Sequence, residues 1–152
     1  MDRTSYTLYS TLDNLPVTAQ ALLHHADGQK VWLLEGDMGA GKTTLVRALC
    51  ARLGVRDNVT SPTFSLVHEY VTASGEAVYH FDFYRIRHEE EALDLDYVAY
   101  FESGSYCFVE WPTKIDNLIS PTYCKVSLTV QPDGCRMLYM HLGKEERSPF
   151  ME

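Results

Sequence analysis

The 152-residue sequence predicts a single α/β domain with a mixed β-sheet flanked by helices. Apolar runs typical of strands alternate with segments that have helical spacing. A glycine-rich loop at residues 36–43 joins one such strand to one such helix. Asp133-Gly134 separates two further strand-like segments and indicates a C-terminal β-hairpin. We therefore expect residues 1–143 to form one domain, followed by a polar, flexible tail at residues 144–152.

The first strand and helix are predicted from alternation and from capping residues. Residues 5–10 alternate along the chain, as a half-buried strand does. Thr11 or Asp13 can cap the helix that follows, and Pro16 is tolerated in its first turn. Gly28 then interrupts the helical pattern, so we expect this helix to end near residue 26.

The remaining elements are mostly strands. Helical spacing after the glycine-rich loop predicts a helix that Gly54 ends, and an acidic segment at residues 88–95 predicts a second, shorter helix. Pro112 is expected to end the strand at residues 106–111. The predicted strands, each bounded by turn residues, are residues 31–34, 64–70, 77–84, 106–111, 125–130 and 136–142.

The glycine-rich loop reads G-D-M-G-A-G-K-T, a complete phosphate-binding loop (P-loop). Its three glycines lack side chains, so the backbone can turn tightly and direct N–H groups at an anion. The helix that follows adds free N–H groups and the positive end of its dipole. Lys42 can reach the β- and γ-phosphates, and the Thr43 hydroxyl can bind magnesium. The predicted nucleotide-binding residues of this P-loop NTPase domain are Gly36, Asp37, Met38, Gly39, Ala40, Gly41, Lys42, Thr43 and Thr44.

Nucleotide hydrolysis also needs an acid near magnesium and a group that places water. Glu110 follows a short apolar strand and resembles a Walker B acid, and Asp82 also lies at a strand end. Both carboxylates are expected at the carboxyl end of the sheet, where open α/β folds bind ligands. Thr63, within S-P-T-F, can occupy the position of a switch threonine that senses the γ-phosphate. We predict Asp82, Glu110 and Thr63 as catalytic residues, and Thr43 and Glu110 as magnesium ligands.

Composition narrows the possible partners. The formal net charge of −8 argues against broad nonspecific nucleic-acid binding but allows a basic protein partner. No apolar run approaches the length of a membrane span, and no signal-peptide core follows Met1. None of the four cysteines forms a C-x-x-C pair, as is usual for reduced thiols. We expect a cytoplasmic protein with no membrane association.

Three other functions stay open at this level. Residues 113–116 read T-K-I-D and match the [NT]-K-x-D pattern that reads guanine, which indicates a small GTPase-like switch. The D-x-x-G element of GTPases is missing after Asp82. A small-molecule P-loop kinase is a second alternative, although few arginines follow the loop helix. A nucleotide-gated binding module, without hydrolysis, is the third.

Four sequence blocks together resemble one known family. They read L-E-G-D-M-G-A-G-K-T-T, N-V-T-S-P-T-F-S-L-V-H-E-Y, Y-H-F-D-F-Y-R-I and F-V-E-W-P, and their order and spacing over residues 30–112 are similar to the TsaE (YjeE) family. This family is the ATPase component of the bacterial system that makes threonylcarbamoyladenosine (t6A) in tRNA. The resemblance implies ATP rather than GTP, with Mg²⁺ bound by Thr43 and Glu110 and with Asp82 important for hydrolysis.

The resemblance also implies partners and a base site. The implied partners are TsaD and TsaB, and tRNA is contacted only indirectly. The adenine is implied near Ser10 and Thr11, with Arg136 close to the nucleotide. The chain departs from the family where Asp96 replaces a usual glycine, at residues 99–101, which replace an acidic-Tyr-Phe triplet, and at Thr113. These departures bear on partner contacts rather than on the phosphate site.

Overall fold

The computed structural model describes residues 5–62, 65–118 and 122–144. Its strands are β1 (Ser5–Ser10), β2 (Val31–Glu35), β3 (Val67–Val71), β4 (Ala77–Asp82), β5 (Tyr106–Glu110), β6 (Thr122–Val130) and β7 (Arg136–Lys144). Its helices are α1 (Leu15–His25), α2 (Lys42–Arg52), α3 (Glu89–Asp94), α4 (Tyr97–Phe101) and a 3-10 helix at Pro112–Leu118. Thr63 and the predicted tail beyond Lys144 lie outside the described residues.

The strands form one mixed sheet in the order β1-β7-β6-β2-β5-β4-β3. The four strands β6, β2, β5 and β4 run parallel, whereas β1, β7 and β3 are antiparallel to their neighbours. The carboxyl ends of β2, β5 and β4 therefore lie at the same end of the sheet. The register at that end pairs Leu34 with Glu110 and Glu110 with Asp82, so the two predicted acids are side by side.

Helices cover both faces of this sheet. The alternation of side chains along β2 places Trp32 and Leu34 in one core cluster with α1 and α2. The same alternation places Val31 and Leu33 in a second cluster with α3, α4 and the 3-10 helix. The predicted α/β fold, with its mixed sheet and C-terminal hairpin, is confirmed. None of the described helices is long and apolar enough to cross a membrane.

Several element boundaries differ from the predictions for local reasons. Asn14, rather than Thr11 or Asp13, is the cap residue of α1. The Asn14 Oδ1 atom instead accepts hydrogen bonds from the Thr11 N–H at 2.8 Å and from the Ser10 hydroxyl at 2.9 Å. β3 begins at Val67, three residues later than expected, after Leu66 adopts a left-handed φ of 66°.

Other differences concern strand ends and short helices. β5 ends at Glu110 because Trp111 has a left-handed φ of 59°. β4 ends at Asp82 rather than at residue 84, and β7 extends to Lys144 rather than 142. α4 and the 3-10 helix were not predicted, since five to seven residues show too little periodicity. Asp96, the cap residue before α4, has φ 59° and ψ 49°, a left-handed conformation that explains the usual glycine there.

All four cysteines are free thiols in the structure. Cys50, Cys107 and Cys124 are buried, and burial raises the pKa of each of these thiols to about 12. Cys135 is partly exposed in the turn between β6 and β7. The three buried thiols are core residues. Since a thiol with so high a pKa is a poor nucleophile, they are unreactive.

Candidate nucleotide-binding site

The P-loop occupies the turn between β2 and α2, and each of its glycines has a structural reason. Gly39 and Gly41 have φ values of 84° and 105°, which side chains other than glycine rarely adopt. Gly36 is required by space instead, since a Cβ atom there would lie 2.9 Å from the Leu128 carbonyl oxygen. The Ala40 N–H donates to the Asp37 carbonyl at 2.9 Å and closes the turn.

Lys42 is the first residue of α2, and its ammonium group lies within the loop. Its Nζ atom donates to the Gly36 carbonyl at 2.5 Å and to the Asp37 carbonyl at 3.3 Å. The same atom lies 4.0 Å from the centre of the Trp111 ring. Burial lowers the pKa of Lys42, and nearby carboxylates, led by Glu110, oppose that shift. The ammonium group is thus held inside the loop that the sequence predicts to bind phosphates.

Thr43 and Glu110 meet although 67 positions separate them. The Thr43 hydroxyl donates to the two Glu110 carboxylate oxygens at 2.9 and 3.1 Å. Glu110 is only 3% exposed. In the described part of the chain no group of three or more His, Cys, Asp or Glu residues could hold a metal. A hydroxyl and one carboxylate nevertheless fit Mg²⁺. This ion binds few protein oxygens, and phosphates and water complete its coordination shell.

His80 is a buried neighbour of Glu110 that the sequence analysis missed. Its Nε2 atom lies 2.5 Å from Glu110 Oε2, and the residue has no exposed surface. Its Nδ1 atom has no hydrogen-bond partner among the described residues. The signal in the sequence was alternation: His80 stands two residues before Asp82, so the two side chains share one face of β4.

The Asp82 carboxylate, at the end of β4, accepts hydrogen bonds from the described residues Tyr84 and Ser61. Its Oδ1 atom accepts from the Tyr84 N–H at 2.9 Å, and its Oδ2 atom accepts from the Ser61 hydroxyl at 2.8 Å. The segment before Ser61 is fixed as well, because Arg47 Nε donates to the Val59 carbonyl at 2.8 Å. Ser61 was not among the predicted site residues. Thr63, the predicted switch residue, cannot be placed in this arrangement because it is outside the described residues.

Two of the cavities beside the P-loop share Gly41, Thr44 and Arg136. The first, which we call the loop cavity, has a volume of about 500 Å³. The second, the β1–α1 cavity, has a volume of about 490 Å³ and is more apolar, with five leucines in its wall. Of the predicted residues, the loop cavity is lined by Met38, Gly39, Gly41, Lys42, Thr43, Thr44, Asp82, Glu110 and Arg136, and the β1–α1 cavity by Thr11, Gly41, Thr44 and Arg136.

Arg136 connects the last hairpin to the P-loop. Its Nε atom donates to the Ala40 carbonyl at 2.8 Å, and its Nη1 atom donates to the Gly134 carbonyl at 2.7 Å. Asp37 and Ala40, also predicted as nucleotide-binding residues, line neither cavity. Their backbone groups instead shape the loop, through the hydrogen bonds to Lys42 and Arg136.

The T-K-I-D segment lies away from both cavities. Residues 113–116 are part of the 3-10 helix, and Ile115 is fully buried in the core of the opposite sheet face. Lys114 lines a separate surface cavity together with Arg87 and His88. Neither Thr113 nor Lys114 is among the residues that line the loop cavity or the β1–α1 cavity.

Comparisons with known proteins identify the family to which the chain is similar. The family described as "Threonylcarbamoyl adenosine biosynthesis protein TsaE" matches residues 9–138. The chain is 38% identical over 129 residues to the tRNA threonylcarbamoyladenosine biosynthesis protein TsaE of Haemophilus influenzae, covering 83% of this chain and 81% of the relative. It is 43% identical over 86 residues to the Bacillus subtilis protein of the same description, covering 57% and 52%.

A solved structure has the same fold. The crystal structure of YdiB from Bacillus subtilis superposes with a TM-score of 0.72 and 24% sequence identity. The superposition covers 97% of this chain and 90% of the YdiB chain. The arrangement of sheet, P-loop and flanking helices is therefore that of a previously observed protein.

Proposed function

The chain belongs to the TsaE family, and from that premise we propose that it is the ATPase subunit of t6A formation in tRNA. In this proposal it binds ATP with Mg²⁺, hydrolyses the ATP and thereby supports turnover of a TsaD–TsaB complex. The chain itself contacts tRNA only indirectly. The observation that carries the proposal is the contact of the Thr43 hydroxyl with the Glu110 carboxylate beside Lys42 in a complete P-loop.

The residues of the loop cavity divide into binding and hydrolysis. Lys42 and the backbone N–H groups of the loop bind the phosphates, because they concentrate hydrogen-bond donors and positive charge in one place. Thr43 and Glu110 hold Mg²⁺, which when bound neutralises charge on the phosphoryl group that is transferred. Asp82 lies beside Glu110 across the β4–β5 register and orients the attacking water.

The β1–α1 cavity suits the adenine base. Its wall contains Leu15, Leu45, Leu128 and Leu138, whose apolar surface can pack against a base. Thr11 lies at one side of this cavity. Arg136 borders both cavities, so its guanidinium is close to the place where a base connects to its phosphates. We assign Thr11 and Arg136 to nucleotide binding on this basis.

The decisive experiment measures ATP turnover by the purified chain with and without purified TsaD–TsaB. We expect slow turnover alone and clear stimulation by the complex, and we expect Lys42→Ala to reduce both to background. Lys125→Ala is the matched control, since Lys125 pairs with Glu35 at 3.2 Å and lies outside both cavities. Equal turnover with and without the complex would contradict the proposed role.

Binding experiments separate this proposal from the alternatives. Calorimetry should give heat with ATP and Mg²⁺, and a large preference for GTP would instead favour a GTPase-like switch. Asp82→Ala should largely keep ATP binding while losing turnover. Unchanged turnover in Asp82→Ala would remove its catalytic role and favour a binding module. Transfer of phosphate to an added metabolite rather than to water would indicate a kinase.

A further inference from the structure

We propose that His80 is a positioning residue that holds the Glu110 carboxylate in the orientation that binds Mg²⁺. This inference rests on the proposed function, because it assumes that Glu110 is a magnesium ligand. It adds a residue that acts through Glu110 and does not itself touch the metal or the nucleotide.

Glu110 accepts hydrogen bonds from few side chains within the described residues. A buried carboxylate requires hydrogen bonds, and its side chain loses rotational freedom when it is fixed in one orientation. The Thr43 hydroxyl and His80 Nε2 are the hydrogen-bond donors to Glu110 within the residues that the structure describes. Thr43 is partly exposed beside the cavity, whereas His80 has no exposed surface. His80 is therefore the more rigid of the two anchors.

The second ring nitrogen of His80, Nδ1, has no hydrogen-bond partner among the described residues. A hydrogen atom on Nε2 is needed to donate to Glu110, and Nδ1 then faces the interior without a hydrogen-bond partner among the described residues. A buried polar atom without a partner is costly, and a side chain that served only to fill space could be apolar. The contact at Nε2 accounts for a histidine at this position.

The donor to Glu110 at this position is an imidazole N–H. An imidazole N–H can donate a hydrogen bond without bringing the permanent positive charge of arginine. A cationic anchor would compete with Mg²⁺ for the negative charge of Glu110. Residues that orient metal ligands commonly change metal affinity by 10- to 100-fold when they are replaced.

The neighbouring strand supplies a comparison within the same protein. His68 on β3 is directly opposite His80 in the antiparallel register. The His68 ring contacts the Tyr70 hydroxyl at 3.2 Å and is only partly buried. A substitution of His68 therefore changes a histidine on the same sheet face without changing a contact to Glu110.

The test compares two substitutions that differ by one methylene group. In His80→Gln the side-chain amide can reach the position of Nε2 and donate to Glu110, whereas the shorter side chain of His80→Asn ends near the position of Nδ1. Calorimetry with the non-hydrolysable analogue AMP-PNP, in Mg²⁺ and separately in EDTA, gives the enhancement of affinity by Mg²⁺ for each variant. Thermal unfolding without nucleotide reports whether each variant is folded.

We expect His80→Asn to reduce the enhancement by Mg²⁺ at least tenfold, with unchanged affinity in EDTA. His80→Gln should stay within about threefold of the wild type, and His68→Asn should match it. If His80→Asn does not fold, His80→Leu, which likewise places no donor at the position of Nε2, replaces it. The inference is overturned if His80→Asn keeps the wild-type enhancement, or if the Gln and Asn variants lose it equally.

These outcomes also separate the inference from the proposed function. A wild-type protein that shows enhancement by Mg²⁺, together with a His80→Asn variant that shows the same enhancement, overturns the role of His80 alone. A wild-type protein that binds no AMP-PNP, or binds it equally with and without Mg²⁺, overturns both.

Discussion

Replacing Gly36 by alanine tests whether the P-loop depends on close packing against β6. The new Cβ atom would lie 2.9 Å from the Leu128 carbonyl oxygen and 3.1 Å from the Ala40 Cβ atom. The first neighbour is backbone and the second lies in the loop itself, so neither can rotate away. One of the two segments must therefore move, and a shift of the loop would also move the residues that we propose to bind phosphates.

The expected loss of stability follows from overpacking. Inserting a methyl group into a filled space costs about 1–3 kcal/mol. Alanine regains about 0.5 kcal/mol by restricting the unfolded chain, since Gly36 does not have a left-handed φ. A net loss of about 1.5 kcal/mol corresponds to a decrease in Tm of roughly 3–6 °C for a chain of this size.

The loss of affinity is expected to be separate from the loss of stability. The Gly36 carbonyl accepts the hydrogen bond from Lys42 Nζ, so a displaced loop also displaces the ammonium group. We expect the Kd for ATP with Mg²⁺ to rise about tenfold, which is about 1.4 kcal/mol, in calorimetry. Thermal unfolding of the nucleotide-free protein gives the Tm.

Gly104→Ala is the matched control. Gly104 precedes β5, at the end of the sheet opposite the P-loop. A Cβ atom there meets nothing within 4 Å. Its φ of 83° makes alanine strained by roughly 1–2 kcal/mol, so its Tm should also fall. Its affinity for ATP should not change. If Gly36→Ala kept both its Tm and its affinity, the packing argument for the P-loop would be refuted.

Three further predictions concern other contacts. Ser61→Ala removes one hydrogen bond to Asp82 and should reduce ATP turnover about two- to tenfold with little change in ATP affinity; unchanged turnover would show that this bond does not position Asp82. Asp96→Gly relieves a left-handed conformation and should raise Tm by roughly 1–2 °C, whereas a lower Tm would contradict this reasoning. In the native protein at pH 8 a thiol reagent should label Cys135 first, and rapid labelling of four thiols would contradict the burial of the other three, which are Cys50, Cys107 and Cys124.

Local sequence was sufficient to predict the glycine-rich loop between β2 and α2 and most of the elements. The P-loop motif lies within eight consecutive residues, because the groups proposed to bind phosphate are the backbone N–H groups of one turn and the side chains that follow it. The positions of Asp82 and Glu110 at strand ends could also be predicted, since alternation and strand length locate such ends. The T-K-I-D match shows the limit of short motifs, because its residues lie away from both cavities.

Tertiary structure alone decided which of these residues touch one another. Thr43 reaches Glu110 across 67 positions and Arg136 reaches Ala40 across 96, and both contacts depend on a strand order that differs from the chain order. His80 meets Glu110 only because β4 and β5 pair in parallel with one particular register. Strand order and register are set by the burial of whole faces of the sheet, and no local run of side chains encodes that balance.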